Sequence, residues 1–390
     1  MISRSLTLHL IEAAKQLPVV ALLGPRQSGK TTLARATFKD HIYISLEDLD
    51  TRKFAQEDPR RFFFENRNEH GIILDEFQHV PELLSYIQTQ VDTEDIPGYF
   101  ILTGSQNFLL NQAISQTLAG RIALLYLLPL SISELKAKEL LPEKVDSLIF
   151  KGQYPRVYAR NLNPATWYRD YIATYLERDV RQLAAISDLS RFHYFIQLCA
   201  GRVGQLLNVS SLATDCGIDV RTAKSWLSLL EASYIIFLLQ PHYKNFSKRL
   251  IKSPKIYFYD TAIACSLLGI ESEQQLQNHY LKGNLFECLI TSDLIKHFYN
   301  ANRRPQLYFW RDNHGHEVDC IIEKAMQLIP IEIKLSMTIS SSLFEGLKYW
   351  KEISDNIYPK AYLVYGGFQD QERAQATVVS WQNIEKIFSD

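Results

Sequence analysis

An α/β protein is predicted, with a parallel sheet sandwiched between helices, then a helical module, then a second, smaller α/β domain. Three observations predict it. Short apolar runs at 19–23, 71–76 and 99–102 alternate with helix-spaced segments, the pattern of strands buried on both faces of a parallel sheet. The first of these runs leads into a glycine-bounded loop and a helix start. From about residue 150 the runs give way to long amphipathic segments, and they return after about residue 270. At 390 residues the chain exceeds one ordinary core. The pattern divides it into residues 1–150, 151–270 and 271–390.

Leu6, Leu10, Ile11, Ala14 and Leu17 recur at helical spacing and form an amphipathic helix ahead of the first strand. That strand runs into Gly24-Pro-Arg-Gln-Ser-Gly29-Lys30-Thr31, a Gly-x-x-x-x-Gly-Lys-Thr match between strand and helix. This is the context of a phosphate-binding P-loop. The spacing has a chemical reason. Gly24 and Gly29 let the backbone curl so that successive amides point at phosphate oxygens. The helix that follows turns its partial positive end to the same anion. Lys30 reaches the β- and γ-phosphates, and the Thr31 hydroxyl ligates Mg²⁺. Gly24, Pro25, Arg26, Gln27, Ser28, Gly29, Lys30, Thr31 and Thr32 are the expected nucleotide-binding set. An ordinary glycine-rich turn is the bland alternative, and the flanking strand and helix disfavour it.

Residues 41–48 read as a second strand, and 71–76 as a third that ends in Asp75 and Glu76. Asp75 supplies the second carboxylate that a P-loop needs for Mg²⁺. Glu76 is placed to orient or deprotonate the attacking water. A solvated Asp-Glu turn is the competing reading. After the next strand, Thr103, Ser105 and Asn107 offer short polar groups to a γ-phosphate. Their spacing does not separate them, and Ser105 is preferred. Arg121 is a candidate arginine finger for its own or a neighbouring subunit, or else a surface arginine after a turn.

A helix is expected over 164–183, where Trp167, Tyr171, Ile172 and Tyr175 share a face. Residues 210–217 form a short helix stopped by Gly217, and Asp219 caps a second helix through Ala232. Strand-like runs at 234–239 and 255–259 complete a winged-helix order. On the second helix Val220, Ala223, Leu227 and Leu230 face inward, leaving Arg221, Lys224 and Ser228 outward. The loop beyond carries Lys244, Lys248, Arg249, Lys252 and Lys255 without an acid. Arg221, Lys224, Lys248, Arg249 and Lys252 are the expected contacts to a phosphate backbone. Packing against a partner, with the lysines merely solvated, is the alternative.

In the last domain a helix at 281–299 carries Glu287, and a hairpin pairs 317–323 with 327–335. Alternation puts Glu332 and Lys334 on one face of its strand, within reach of Asp319. Glu287, Asp319 and Glu332 make an oxygen-rich site for a second Mg²⁺ or Mn²⁺. Lys334 beside it can help activate a water against a phosphodiester. A salt-bridged hairpin could equally produce Glu-x-Lys. Helix 342–354 and strand 360–365 follow.

Composition narrows the classes. Hydrophobic residues make up 46% and charged residues 22%, as in soluble globular proteins. A net charge of −1 provides no global pull toward nucleic acid. The first 17 residues carry charges every few positions, which excludes a signal peptide or membrane span there. Five scattered cysteines, Cys199, Cys216, Cys265, Cys288 and Cys320, suit reduced thiols in a cytoplasmic protein.

Across essentially the whole chain the sequence resembles a prokaryotic family of AAA-type P-loop ATPases with a winged helix and a C-terminal PD-(D/E)XK nuclease-like domain. GPRQSGKTTL, ILDEFQHVPELL, ILTGSQNFLL, LAGRIALLYLLPLS, GQYPRVY, YLERDV and the EVD and IEIK pair carry the resemblance. It implies ATP as the nucleotide, with Lys30, Thr31, Asp75 and Glu76 in the roles above. It also implies Glu287, Asp319, Glu332 and Lys334 as the nuclease-like set. Two functions are expected to compete: an ATPase coupled to a nuclease acting on DNA, and an ATP-dependent switch whose last domain binds nucleic acid or a protein without cutting. A homo-oligomer accords with either, and a membrane partner with neither.

Overall fold

A computed structural model describes residues 2–105, 117–175, 188–242, 252–324, 327–354 and 360–389. The chain divides into two units. The first is Met1–Pro129 with Ala232–Tyr234 and Tyr299–Arg303, and the second is Leu130–Glu231, Ile235–Phe298 and Arg304–Asp390.

In the first unit Val19–Leu23 (β1), Ile42–Ser45 (β2), Ile72–Asp75 (β3), Phe100–Gly104 (β4) and Ile122–Tyr126 (β5) form one sheet. Its order is β2-β3-β4-β1-β5, and every neighbouring pair is parallel. Alternation along β1 splits its side chains between two cores. Val19, Ala21 and Leu23 join Phe62, Phe77 and Leu84, while Val20 and Leu22 join Leu6, Leu10 and Leu33. Both faces are covered, which is why these strands read as unbroken apolar runs. The apolar run at β5 is not among the expected strands.

The parallel arrangement decides where the chemistry sits. β1, β3 and β4 end together, and their C-terminal ends carry Gly24, Asp75 and Ser105, the edge where open α/β sheets hold ligands. Helix Lys30–Thr37 starts at that edge.

Most of the helices and the strand pair expected between residues 210 and 259 lie in the second unit. Helix Val209–Cys216 is capped by Asn208, whose side chain accepts from Ser211 N, and it stops at Gly217 in the left-handed region. Helix Val220–Ala232 starts at Asp219, whose carboxylate accepts from Thr222 N at 2.9 Å. Its buried face is Ala223, Trp226, Leu227 and Leu230. Val220, expected inward, is 38% exposed. Trp226 fills that face instead, its ring edge-on to Phe192 and Phe195 of helix Leu189–Ala200. Ile236–Leu239 (β6) and Lys255–Phe258 (β7) pair antiparallel.

Leu307–Arg311 (β8), Glu317–Lys324 (β9), Gln327–Lys334 (β10), Tyr362–Tyr365 (β11), Gln371–Glu372 (β12) and Thr377–Ser380 (β13) form a six-stranded sheet of order β12-β13-β11-β10-β9-β8. β8, β9 and β10 are antiparallel, whereas β10, β11 and β13 run parallel. Helices Lys282–Asn300 and Glu345–Ile353 accompany it.

Among the described residues, the helix expected over 164–183 is α-helical over Pro164–Tyr171 and continues as a π turn through residue 175. Residues 176–187, with most of YLERDV, lie outside the described residues. GQYPRVY has a packing explanation. A side chain on Gly152, whose φ is +67°, would meet the Tyr168 hydroxyl and the Asp260 carboxylate. Gln153 N donates to Asp260 Oδ2 at 2.6 Å, and buried Lys296 donates to Gln153 Oε1 at 2.6 Å. These buried polar contacts tie residue 153 to residues 260 and 296.

Candidate functional site

The loop after β1 curls because only glycine fits its ends. A side chain on Gly24 would lie 2.2 Å from the Leu127 carbonyl oxygen, and Gly29 caps helix Lys30–Thr37 at φ 97°. Gln27 between them also has positive φ, 61°. The result is the amide-lined concavity that suits phosphate. Lys30 Nζ lies across the loop, donating to the carbonyls of Gly24 (3.0 Å) and Pro25 (2.8 Å) with only 4% exposure. Burial pulls its ammonium below the ordinary lysine range, against the opposing pull of Glu76 and Asp75.

Asp75 gathers three hydroxyls. Thr31 Oγ1 donates to its Oδ1 and Tyr43 to its Oδ2, each at 2.8 Å, and Thr103 bonds Oδ1 as well. Thr31 and Asp75 are thus adjacent hard oxygen donors, which fit Mg²⁺ beside a triphosphate. Glu76 follows in the left-handed region at φ 55°, a conformation costly for this residue type and common at functional sites. Its Oε2 accepts from the Gln78 amide and from Ser105 Oγ, the latter at 3.1 Å. Gln78 also donates to Ser105 at 3.1 Å, and Gly104 leaves the space its amide fills. Burial pushes the Glu76 carboxyl up, but Lys30, Gln78, Arg26 and Ser105 together hold it below the usual range. Those four groups therefore favour its ionised form.

The other expected residues are placed as follows. Ser28 is fully buried, Thr32 is exposed, and Arg26 donates to Glu47 at 2.7 Å. Ser105 bonds Glu76, Thr103 bonds Asp75, and Asn107 lies outside the described residues. Arg121 corrects an expectation. It precedes β5, and its carbonyl accepts from Val19 N at the start of β1. It therefore sits at the edge of the sheet opposite the loop, pairing with Asp92 at 2.5 Å, and cannot meet phosphates of its own subunit.

Arg4 was not expected at all. Its guanidinium is buried and donates to Ser28 O at 2.7 Å and Leu128 O at 2.6 Å, bracing the loop from behind. Hydrogen bonds from a charged donor contribute about 1.5–3 kcal/mol each. Arg4→Ala should therefore weaken ATP binding about tenfold or more in a fluorescent-nucleotide titration. Unchanged affinity would show that the loop holds its shape without the brace.

In the second unit the acidic residues converge. One oxygen each of Glu287, Glu317 and Asp319 lie within 4.8 Å of one another. Glu317 was missed, although alternation from Asp319 along β9 puts it on the same face. Asp319 Oδ2 accepts from Ile333 N at 2.8 Å and from Lys334 Nζ at 2.9 Å, and Lys334 also meets Glu332 at 2.5 Å. Burial, then the Asp319 carboxylate, push Glu332 up to about 8. Lys255, assigned by sequence to the exposed basic loop, is instead 3% exposed on β7 and ion-paired to Glu287 and Glu317. With cationic side chains between the carboxylates, the arrangement does not fit a second Mg²⁺ or Mn²⁺, although oxygen donors of the right kind are present. Arg221, Lys224 and Lys252 are exposed as expected, whereas Lys244, Lys248 and Arg249 lie outside the described residues.

The glycine-bounded loop, its lysine and the threonine–aspartate pair define an AAA-type P-loop ATPase domain. A family model described as "AAA domain" matches residues 16–136. Two models described as domains of unknown function, DUF8612 and DUF4143, match residues 142–274 and 282–384. The chain belongs to the family of Uncharacterized protein Rv2008c of Mycobacterium tuberculosis, to which it is 30% identical over 346 residues, 87% of this chain and 75% of that protein. Uncharacterized protein Mb2031c of Mycobacterium bovis matches with the same figures. Among solved structures, a Walker-type ATPase of Pyrococcus abyssi is 18% identical, with a TM-score of 0.45 over 68% of this chain and 96% of that one. AMPPCP-bound DnaA from Aquifex aeolicus is 15% identical, with a TM-score of 0.32 over 59% of this chain and 89% of that one. Among the described residues no helix is long and apolar enough to cross a membrane.

Proposed function

We propose that the chain binds and hydrolyses ATP with Mg²⁺ and uses the cycle to drive a DNA-facing device made of its winged helix and a nuclease-like C-terminal domain. One observation carries the ATPase reading: Thr31 bonded to Asp75, with Glu76 next in the chain and held by Gln78 and Ser105. In that reading Lys30 and the loop amides hold the phosphates, Thr31 and Asp75 hold Mg²⁺, and Glu76 activates the attacking water. Exposed Arg221 and Lys224 on the second helix of the winged helix support DNA as the partner. Lys255 inside the acidic cluster favours the reading in which the C-terminal domain binds without cutting. The intact set Asp319, Glu332 and Lys334 supports the cutting alternative.

Fluorescence anisotropy with duplex DNA tests the partner. Arg221→Ala/Lys224→Ala should lower affinity and flatten the dependence of log K on log salt by about 2, near one for each phosphate that is no longer neutralised. Equal affinity and slope in the two proteins would remove the winged helix from DNA binding.

A further inference from the structure

The acidic cluster of the second unit holds cations that come from the chain itself. Lys255 Nζ donates to Glu287 Oε1 at 2.8 Å and pairs with Glu317 Oε1, and Tyr257 donates to the same Glu287 oxygen at 2.5 Å. Arg311 Nη1 takes the other Glu317 oxygen at 2.9 Å, and Lys334 spans Asp319 and Glu332. Three cationic side chains therefore face four carboxylates. The helix Glu345–Ile353 closes one side. A side chain on Gly346 would meet Glu332 Oε2 at 2.9 Å, so its backbone lies directly against that oxygen.

We propose that the Lys255 ammonium is the resident cation of this cluster, standing between Glu287 and Glu317 where a divalent metal would otherwise bridge carboxylates. This departs from the metal-bearing site that the nuclease resemblance implies, and it rests on the nuclease-like reading of the fold. A metal entering beside Lys255 would meet a like charge at close range in a poorly solvated setting, where such repulsion is strong. Displacing the ammonium would leave it buried without its carboxylates, a costly state. Lys255 opens β7, a strand of the winged-helix hairpin. The residue that decides what the cluster binds thus belongs to the module proposed to face DNA. Metal enters only once the start of β7 has moved.

The test is Mn²⁺ titration followed by electron paramagnetic resonance. It uses the full chain without nucleotide, carrying Asp75→Asn to silence the metal ligand of the first unit. With Lys255 present the cluster should leave Mn²⁺ free. Lys255→Met should bind one further Mn²⁺ at least about tenfold more tightly, and adding Glu287→Gln should remove it. Equal binding with and without Lys255, or no gain in the variant, overturns the proposal. Should Lys255→Met fail to fold, Lys255→Gln keeps a neutral donor for Glu287 and Glu317, leaves all the carboxylates in place and is read by the same criteria. A failure of the DNA reading shows in the anisotropy experiment and leaves the Mn²⁺ count untouched.

Discussion

Lys30→Ala should abolish ATP turnover and weaken ATP binding by about a hundredfold, a loss of about 2.7 kcal/mol. The side chain is the cation that the motif directs into the loop, and the structure holds it over the concavity by the Gly24 and Pro25 carbonyls. Binding a triphosphate needs the ammonium to leave those carbonyls for phosphate oxygens, a short exchange within one loop. The fold should not suffer. Burial already disfavours the charged amine, as its lowered proton affinity shows, so removing it costs two hydrogen bonds but relieves a desolvated charge. The check is nucleotide titration beside thermal unfolding: affinity should fall while the midpoint stays within a few degrees. Retained affinity would mean that the loop amides alone hold the nucleotide.

Glu76→Gln should separate binding from chemistry. Loss of a general base costs about 10²- to 10⁴-fold in rate, whereas the amide is nearly the same size and can still meet Gln78 and Ser105. ATP affinity should therefore stay within about threefold while turnover collapses, the pattern of an interaction made only in the transition state. Single-turnover phosphate release together with nucleotide titration checks it. A parallel loss of affinity would instead make Glu76 part of the binding surface.

What could be read from sequence follows the range of the interactions. The loop, β1 and the Asp75–Glu76 strand end were legible because a strand, two glycines and a helix start are local features, and the structure keeps them in one stretch from Val19 to Thr37. Capping was legible for the same reason, as at Asp219. Arg4 was not, since its partners lie 24 and 124 residues away and a lone arginine near the N-terminus carries no pattern. Lys255 misled. Sequence groups it with the lysines before it, but it is the first residue of β7, where the strand turns it into the acidic cluster. Val220 misled in the opposite sense, because periodicity assigns it to a buried face that Trp226 occupies instead. Arg121 shows a third limit: which end of a parallel sheet a residue joins depends on strand direction, which composition does not contain.

The central claim is that this chain hydrolyses ATP at the ends of β1 and β3. Steady-state phosphate release from Mg²⁺-ATP by the purified full chain, with and without duplex DNA, tests it most directly. Measurable turnover is expected, rising with DNA and disappearing in both Lys30→Ala and Glu76→Gln. Phosphate release that persists in those variants, or none in the wild type under either condition, would contradict it.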